Sequence, residues 1–320
     1  MAMLITGGTG FIGSYLAKLL IDHGHRPVLF DISPPQRILE DVEGEFDYRR
    51  GSLGNISEVL NCIGDYRIDR IFHLGGMLSV PSEENPWAAF DANIIGTYNI
   101  LEASRIKGIR QVVYGSTIAT YSKDIRADDI DDVTVQRPTS MYGTTKVCGE
   151  LLGRYYARRF AIDFRGVRIP SVVGPGARTP HMSIYNAWAI EESLKGRPYT
   201  LLCEPETRCP VMYFKDVVRA LWHLSQADQA PLKTMIYNLA GIAPPFSAGE
   251  LVEEVRSRIA GADLAFRPDS RIVDLLRELG AIRINDQCAR SEWGWEIAYP
   301  LPEMVEDFIT EFEEHRSWYH

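Results

Sequence analysis

Met3-Leu4-Ile5-Thr6-Gly7-Gly8-Thr9-Gly10-Phe11-Ile12-Gly13-Ser14-Tyr15-Leu16 decides the fold of this chain. Met3-Leu4-Ile5 reads as a buried strand, and Ser14 to Ile21 is amphipathic at helical spacing. Between them lie Gly7, Gly10 and Gly13, three residues apart. Glycines let a backbone turn tightly and approach an anion, while the free N–H groups and the helix dipole bind it. The next apolar run, Val28-Leu29-Phe30, ends in Asp31, 18 residues after Gly13, where an acid is expected after about 20. A carboxylate there accepts hydrogen bonds from both hydroxyls of an adenosine ribose and repels a 2′-phosphate. Read so, rather than as a solvated turn aspartate, Asp31 predicts NAD and not NADP.

With 320 residues, 45% of them hydrophobic, the chain can bury a large core as one big domain or one and a half. A net charge of −9 argues against nucleic acid or an anionic membrane as partner. No apolar run approaches the ~20 residues needed to span a bilayer. Met1-Ala2 lead straight into the first strand, which predicts no signal peptide. The five cysteines are scattered and form no C-x-x-C pair, so reduced thiols, no metal and a cytoplasmic location are expected.

Strand-like runs at Val28–Phe30, Phe46–Tyr48, Ile71–Leu74, Gln111–Tyr114 and Phe164–Ile169 alternate with helical patterns over Ile56–Tyr66, Trp87–Lys107 and Met141–Phe160. That alternation implies an α/β chain with a doubly wound parallel sheet covered on both faces. Further helical patterns follow at Ile184–Lys195, Lys215–Ala227, Ala248–Ile259 and Pro302–Glu314, and Ser247-x-x-Glu250 reads as a capping box. The expected division is a cofactor domain over 1–170, to which some later elements return, and a smaller, mainly substrate-binding α/β lid over 171–320. Asp128–Asp132 reads as a solvated acidic loop. His223 reads as a core or lid histidine, and Trp188, Trp293 and Trp295 as packing residues.

Tyr142 and Lys146 lie four apart and share a helix face. An enzyme that takes hydride from an alcohol must also take its proton, and a tyrosine with its ordinary pKa near 10 is protonated at neutral pH. A neighbouring ammonium and a positive nicotinamide ring favour the phenolate; a shift of ~3 units needs about 4 kcal/mol. Among 15 tyrosines this spacing arises by accident, so position carries the argument. The pair follows Ser116-Thr117 at the end of the fifth strand, and open α/β sheets bind ligands at such carboxyl ends. Thr117 there orients the substrate oxygen, or is an ordinary turn threonine. Thr117, Tyr142 and Lys146 are the expected catalytic residues, with Lys146 also holding the nicotinamide ribose.

Together these motifs resemble the extended short-chain dehydrogenase/reductase family. The glycine fingerprint, Asp31, His73-Leu-Gly-Gly76, Asn93-Ile-Ile-Gly-Thr97, Ser116-Thr117 and Tyr142-x-x-x-Lys146 stand in its order and spacing. Within the family the chain is most similar to the short-chain type of L-threonine 3-dehydrogenase, through Leu78-Ser79, Glu84-Asn85-Pro86, Ser116–Ala119, Arg208–Tyr213 with Asp216, Tyr237–Gly241 and Trp293-Gly-Trp295. The resemblance covers essentially the whole chain and implies a Rossmann-type fold with NAD as cofactor. It implies that Gly7, Gly10, Phe11, Ile12 and Gly13 hold the pyrophosphate and that Asp31 and Ile32 hold the adenosine ribose. Leu53, Leu74, Gly75 and Gly76 would line the adenine and ribose path. Asn93, Ser116, Tyr142, Lys146 and Pro170 would surround the nicotinamide half, and Ser79, Thr117 and the segment near Ser183 would face the substrate. A homodimer through a four-helix contact of Trp87–Lys107 and Met141–Phe160 is implied as well.

Departures from the family sharpen the expectation. Gly51-Ser52-Leu53 has serine where the family commonly has an acid near the adenine, and His73-Leu-Gly-Gly replaces His-Leu-Ala-Ala. Threonine dehydrogenases resemble one another in a Thr-Thr-Asp-Tyr segment. Here Ile184 takes the aspartate's place, and Arg178 and His181 are new. The expected substrate is therefore a small secondary alcohol or hydroxy acid rather than threonine. Arg178 either meets its anionic end or is a solvent-facing loop arginine. An NDP-sugar 4-epimerase with tightly held NAD needs the same Thr, Tyr and Lys. Such enzymes usually carry an asparagine where this chain has Pro170-Ser171, although Arg208 is available to a diphosphate. A protein that only senses NAD would need neither Tyr142 nor Lys146.

Overall fold

Leu4, Val28, Phe30, Ile71 and Val112 pack into one apolar cluster, and their chain neighbours Met3, Ile5, Leu29, Phe72 and Val113 pack into another. Successive strand residues point to opposite faces, so these two clusters are the two sides of one sheet buried on both. The structure is a computed structural model and describes residues 2–122, 124–125, 129–178, 183–280 and 283–319. β1 (Ala2–Thr6), β2 (Val28–Asp31), β3 (Asp47–Arg50), β4 (Ile68–His73), β5 (Gln111–Thr117) and β6 (Asp163–Ile169) pair in parallel in the order β6-β5-β4-β1-β2-β3. Beyond them β7 (Ser171–Val173) pairs with β9 (Val211–Tyr213), and β8 (Tyr199–Leu201) with β11 (Leu264–Phe266). β10 (Ile236–Asn238) returns to the main sheet beside β6. Strand order reverses between β1 and β4, and that reversal opens a crevice at their carboxyl ends.

The helices in chain order are α1 (Phe11–Asp22), α2 (Ile56–Asp65), α3 (Ser79–Glu84), α4 (Pro86–Ala89), α5 (Gly96–Lys107) and α6 (Met141–Phe160). After them come α7 (Tyr185–Leu194), α8 (Phe214–Gln226), α9 (Ala248–Arg258), α10 (Ser270–Gly280), α11 (Gln287–Trp293) and α12 (Leu301–Glu314). Leu16 of α1, Leu221 of α8 and Phe308 of α12 join the cluster on one face. Ile63 of α2, Ile100 of α5 and Tyr156 of α6 join the other. Among the described residues no helix is long and apolar enough to cross a membrane.

The helix expected over Trp87–Lys107 forms without a break from Pro86: Asn85 caps it through Ala88 N–H, and a π-helical turn over Phe90–Ile95 joins α4 to α5. Two expectations are corrected. The acidic loop is not simply solvated. Asp132 is buried and accepts from Asn238 N–H at 2.5 Å, while Asp129 pairs with Arg283 at 3.3 Å; Asp128 lies outside the described residues. Of the two readings of His223, core or lid, the core one falls: it is exposed on α8. The capping box forms as read, with Glu250 N–H on Ser247 Oγ at 3.1 Å and Ser247 N–H on Glu250 Oε2 at 2.5 Å.

Candidate active site

In the turn between β1 and α1 the positions of Gly7, Gly8 and Gly13 have no room for a side chain, while Thr9 turns its hydroxyl away to Ser33 O at 3.1 Å. A Cβ on Gly13 would stand 2.1 Å from Gly7 O and 2.8 Å from Gly8 Cα, and Gly7 itself adopts φ +67°. Gly7 also touches the loop after β4, since a Cβ there would meet Gly75 Cα at 2.8 Å. The cradle is therefore lined by backbone and ends on the N-terminus of α1, where Phe11 and Ile12 are half-buried. Asp31 closes β2 with its carboxylate oriented by Thr9 N–H at 3.3 Å and Ser33 N–H at 3.0 Å. Ile32 beside it is exposed. Leu53 packs against both Gly75 and Gly96, where added Cβ atoms would meet it at 2.8 and 2.7 Å. This glycine-rich turn at a helix N-terminus, followed by an acid, fits a dinucleotide.

A directed hydrogen-bond chain fixes the loop that follows β4. Thr97 Oγ1 donates to Asn93 O at 2.6 Å and so accepts from His73 Nε2 at 3.0 Å. His73 Nδ1 then accepts from Thr6 Oγ1 at 2.7 Å, and that hydroxyl accepts Gly75 N–H at 3.2 Å. Burial, with the Lys146 charge adding to it, pushes His73 down to about 3, so the ring stays neutral. Asn93 extends the hold. Its Oδ1 accepts Met77 N–H at 2.7 Å, and its Nδ2 donates to Met77 O at 3.1 Å and Thr145 Oγ1 at 3.0 Å.

Tyr142 enters through the first turn of α6, which Ser140 caps by accepting Gly143 N–H at 3.0 Å. A Cβ on Gly143 would lie 2.2 Å from Ala119 O, so this turn sits directly on the short helix Ile118–Thr120 that Thr117 caps through Ala119 N–H. Thr117 and Tyr142 are both half-buried. Lys146, one turn on, is buried and donates to Gly115 O at 2.8 Å, with Nζ 5.8 Å from the centre of the Tyr142 ring. Burial pushes the phenol up to about 12 and pulls the ammonium down to about 8, the latter opposed by Glu150. In the protein alone, burial outweighs any lowering of the phenol by Lys146, contrary to the simple expectation from spacing.

Ser116 is buried. Its hydroxyl donates to Glu150 Oε1 at 2.5 Å, and Glu150 is paired with Arg168 at 2.7 Å, both carboxylate and guanidinium being buried. Arg168 also donates to Tyr121 Oη at 2.7 Å and Asn238 Oδ1 at 3.1 Å, which joins β6, β10 and the segment after β5. Sequence reasoning missed this pair although a signal existed: Glu150 lies four residues past Lys146 on the same face.

Of the substrate candidates, Ser79 opens α3 half-buried, Pro170 is buried behind β6, and Ser183 shares a hydrogen bond with Ser171. Leu74 is half-buried, and Gly76, at φ +159°, is exposed. Ile184 is buried in the core, so no carboxylate stands at that point. Arg178 is not a free cation: it pairs with Glu191 at 2.8 Å and donates to Tyr319 O at 2.9 Å. His181 lies outside the described residues.

A family model described as the NAD dependent epimerase/dehydratase family matches residues 3–240. The mitochondrial L-threonine 3-dehydrogenase of Bos taurus is 30% identical over 315 residues, which cover 96% of this chain and 82% of that one. An uncharacterized epimerase/dehydratase of Staphylococcus aureus is 29% identical over 336 residues, with 98% and 97% covered. Among solved structures, the holo form of a GalE-like L-threonine dehydrogenase from Cupriavidus necator superposes with a TM-score of 0.86 at 28% identity, covering 97% of this chain and 99% of that one. A UDP-glucose 4-epimerase from Thermotoga maritima shares the fold at a TM-score of 0.85 and 23% identity, covering 98% and 99%.

Proposed function

The chain belongs to the NAD-dependent epimerase/dehydratase family, and from that premise we propose that it oxidises a small secondary alcohol or hydroxy acid, with Tyr142 as the acid/base group. One observation carries the reading: Lys146, four residues from Tyr142 on α6, is anchored to the carboxyl end of β5 through Gly115 O, beside Thr117. Thr117 and Tyr142 hydrogen-bond the substrate hydroxyl, and Tyr142 Oη takes its proton. Lys146 holds the nicotinamide ribose and contributes positive charge. NAD, when bound, would supply the hydride acceptor and, in its oxidised form, a further positive charge in the site. The burial that raises the phenol in the protein alone also strengthens its attraction to any cation brought next to it.

Two features support the substrate class. Ile184 is apolar and buried where threonine dehydrogenases carry their aspartate, which leaves no carboxylate at that position for an ammonium. Arg208, the cation a nucleotide diphosphate would need, is engaged by Pro245 O at 2.5 Å and Glu250 at 3.0 Å. Trp87, Tyr98, Leu151 and Tyr155 expose apolar surface on α4, α5 and α6, and we assign that face to a second copy of the chain.

NADH formation by the pure protein across a panel of small secondary alcohols and hydroxy acids tests the proposal. Turnover should fall by ~10²–10⁴-fold in Tyr142→Phe while NADH binding persists. Rapid oxidation of threonine at low KM overturns the substrate assignment. Conversion of an NDP-sugar without net NADH overturns the dehydrogenase reading, and an unaffected Tyr142→Phe removes the tyrosine from the chemistry.

A further inference from the structure

The segment leaving β7 lies flush against three aromatic rings, Phe214, Phe11 and Tyr319. A Cβ on Gly174 would meet Phe214 Cδ1 at 2.6 Å and Phe11 Cζ at 2.8 Å, and one on Gly176, at φ +82°, would meet Tyr319 Cδ1 at 2.9 Å. Its polar groups are held as firmly: Gly176 N–H donates to Glu191 Oε2 at 3.0 Å, and Ala177 O accepts Trp188 Nε1 at 3.0 Å. Arg178 closes the knot on Glu191 and on the carbonyl of Tyr319. Tyr319 is itself buried, stacked on Phe312 at 5.5 Å, with its hydroxyl 2.6 Å from Tyr15 Oη and donating to Glu311 Oε1 at 3.2 Å. Tyr15 sits one turn past Phe11 on α1, the helix whose N-terminus forms the anion cradle.

We propose that Tyr319 and Arg178 are positioning residues that couple the seating of the dinucleotide on α1 to the placement of residues 174–178. A pyrophosphate held by the first turn of α1 restrains Phe11 and Tyr15. Tyr319 passes that restraint to Arg178 through the Tyr15 hydroxyl at one end and its own carbonyl at the other. By linkage, whatever orders 174–178 also favours the bound dinucleotide. Arg178 then acts on the substrate by fixing its loop instead of by receiving an anion. The kinetic consequence rests on the dehydrogenase reading; the coupling does not.

Tyr15→Phe and Tyr319→Phe each delete one hydroxyl and keep the ring, and trypsin cleavage after Arg178 reports the loop without any need for activity. In the native protein, NADH should slow that cleavage. In both variants cleavage should run about fivefold faster, as expected for one buried hydrogen bond, and NADH protection should disappear. With an alcohol substrate at saturating NAD, KM should rise about fivefold with kcat unchanged, for neutral and anionic alcohols alike. Cleavage that ignores NADH in the native protein, or that is unchanged in both variants, overturns the coupling. An Arg178→Lys variant that weakens only anionic alcohols, beside Tyr319→Phe with unaltered KM, makes Arg178 an anion receptor and overturns it too. If no alcohol is oxidised but the cleavage pattern holds, the coupling stands and the dehydrogenase reading falls.

Discussion

Replacing Lys146 by methionine should stabilise the folded protein at neutral pH while abolishing turnover. The ammonium is buried and, among the described residues, has one hydrogen bond, to Gly115 O; burial, opposed by Glu150, holds it down from the usual 10.5 to about 8. That difference corresponds to a penalty of about 3 kcal/mol for keeping the charge inside. An unfolded lysine keeps its proton up to pH 10.5, whereas the folded one releases it near pH 8, so between these values the unfolded state binds more protons. Stability therefore rises with pH across that window, and the penalty is complete below it. Methionine removes the penalty but also the hydrogen bond, worth ~1 kcal/mol, so the expected net gain at pH 7 is about 2 kcal/mol. Above pH 10 only the loss remains, and the variant should become the less stable protein. Urea unfolding of both proteins at the two pH values measures this directly. A variant less stable at pH 7, or a difference that is the same at both pH values, refutes the reasoning.

Gly13→Ala forces a Cβ to 2.1 Å from a backbone oxygen, against 3.2 Å for Gly10→Ala. Its strain of ~1–3 kcal/mol should weaken NADH binding by at least about fivefold, and more than Gly10→Ala does, in a fluorescence titration. His73→Leu breaks two buried hydrogen bonds and should raise the Kd for NADH by about five- to thirtyfold. Because His73 is already neutral, the activity–pH profile of the native protein should show no limb from it between pH 5 and 9, in contrast to a titrating histidine with a pKa near 6.5. Leu151→Arg places charge in the exposed apolar face of α6; if that face pairs two copies as proposed, sedimentation should show a dimer for the native protein and a monomer for the variant.

What the sequence discloses depends on how local the cause is. Gly7–Gly13, Asp31 and the Tyr142–Lys146 pair are short-range patterns tied to one strand–turn–helix, and the elements around them form as read; Met141–Phe160 matches to the residue. Pro302–Glu314 begins one residue earlier, at Leu301. Helix α3 escaped because its six residues, Ser79–Glu84, include a proline and carry no apolar period. Side-chain commitments across the fold were invisible. Tyr15 and Tyr319 are 304 residues apart, and nothing near Ser116 indicates that its hydroxyl belongs to Glu150. The partners of Arg178 are hidden as well, although Glu191 is only 13 residues on. A lone loop arginine reads as available until the fold brings Glu191 and Tyr319 to it.

Glu150 and Arg168 guard each other against drift. Neutralising either one strands a full charge in the interior, a loss of roughly 3–5 kcal/mol, while exchanging both for well-packed apolar residues is often neutral in stability. A scan of single substitutions would thus score both positions as intolerant, for reasons of solvation and not of chemistry. Lineages could shed the pair only by crossing a valley in two steps, so its persistence among descendants of this chain would testify to the height of that barrier rather than to any service at the reacting atoms.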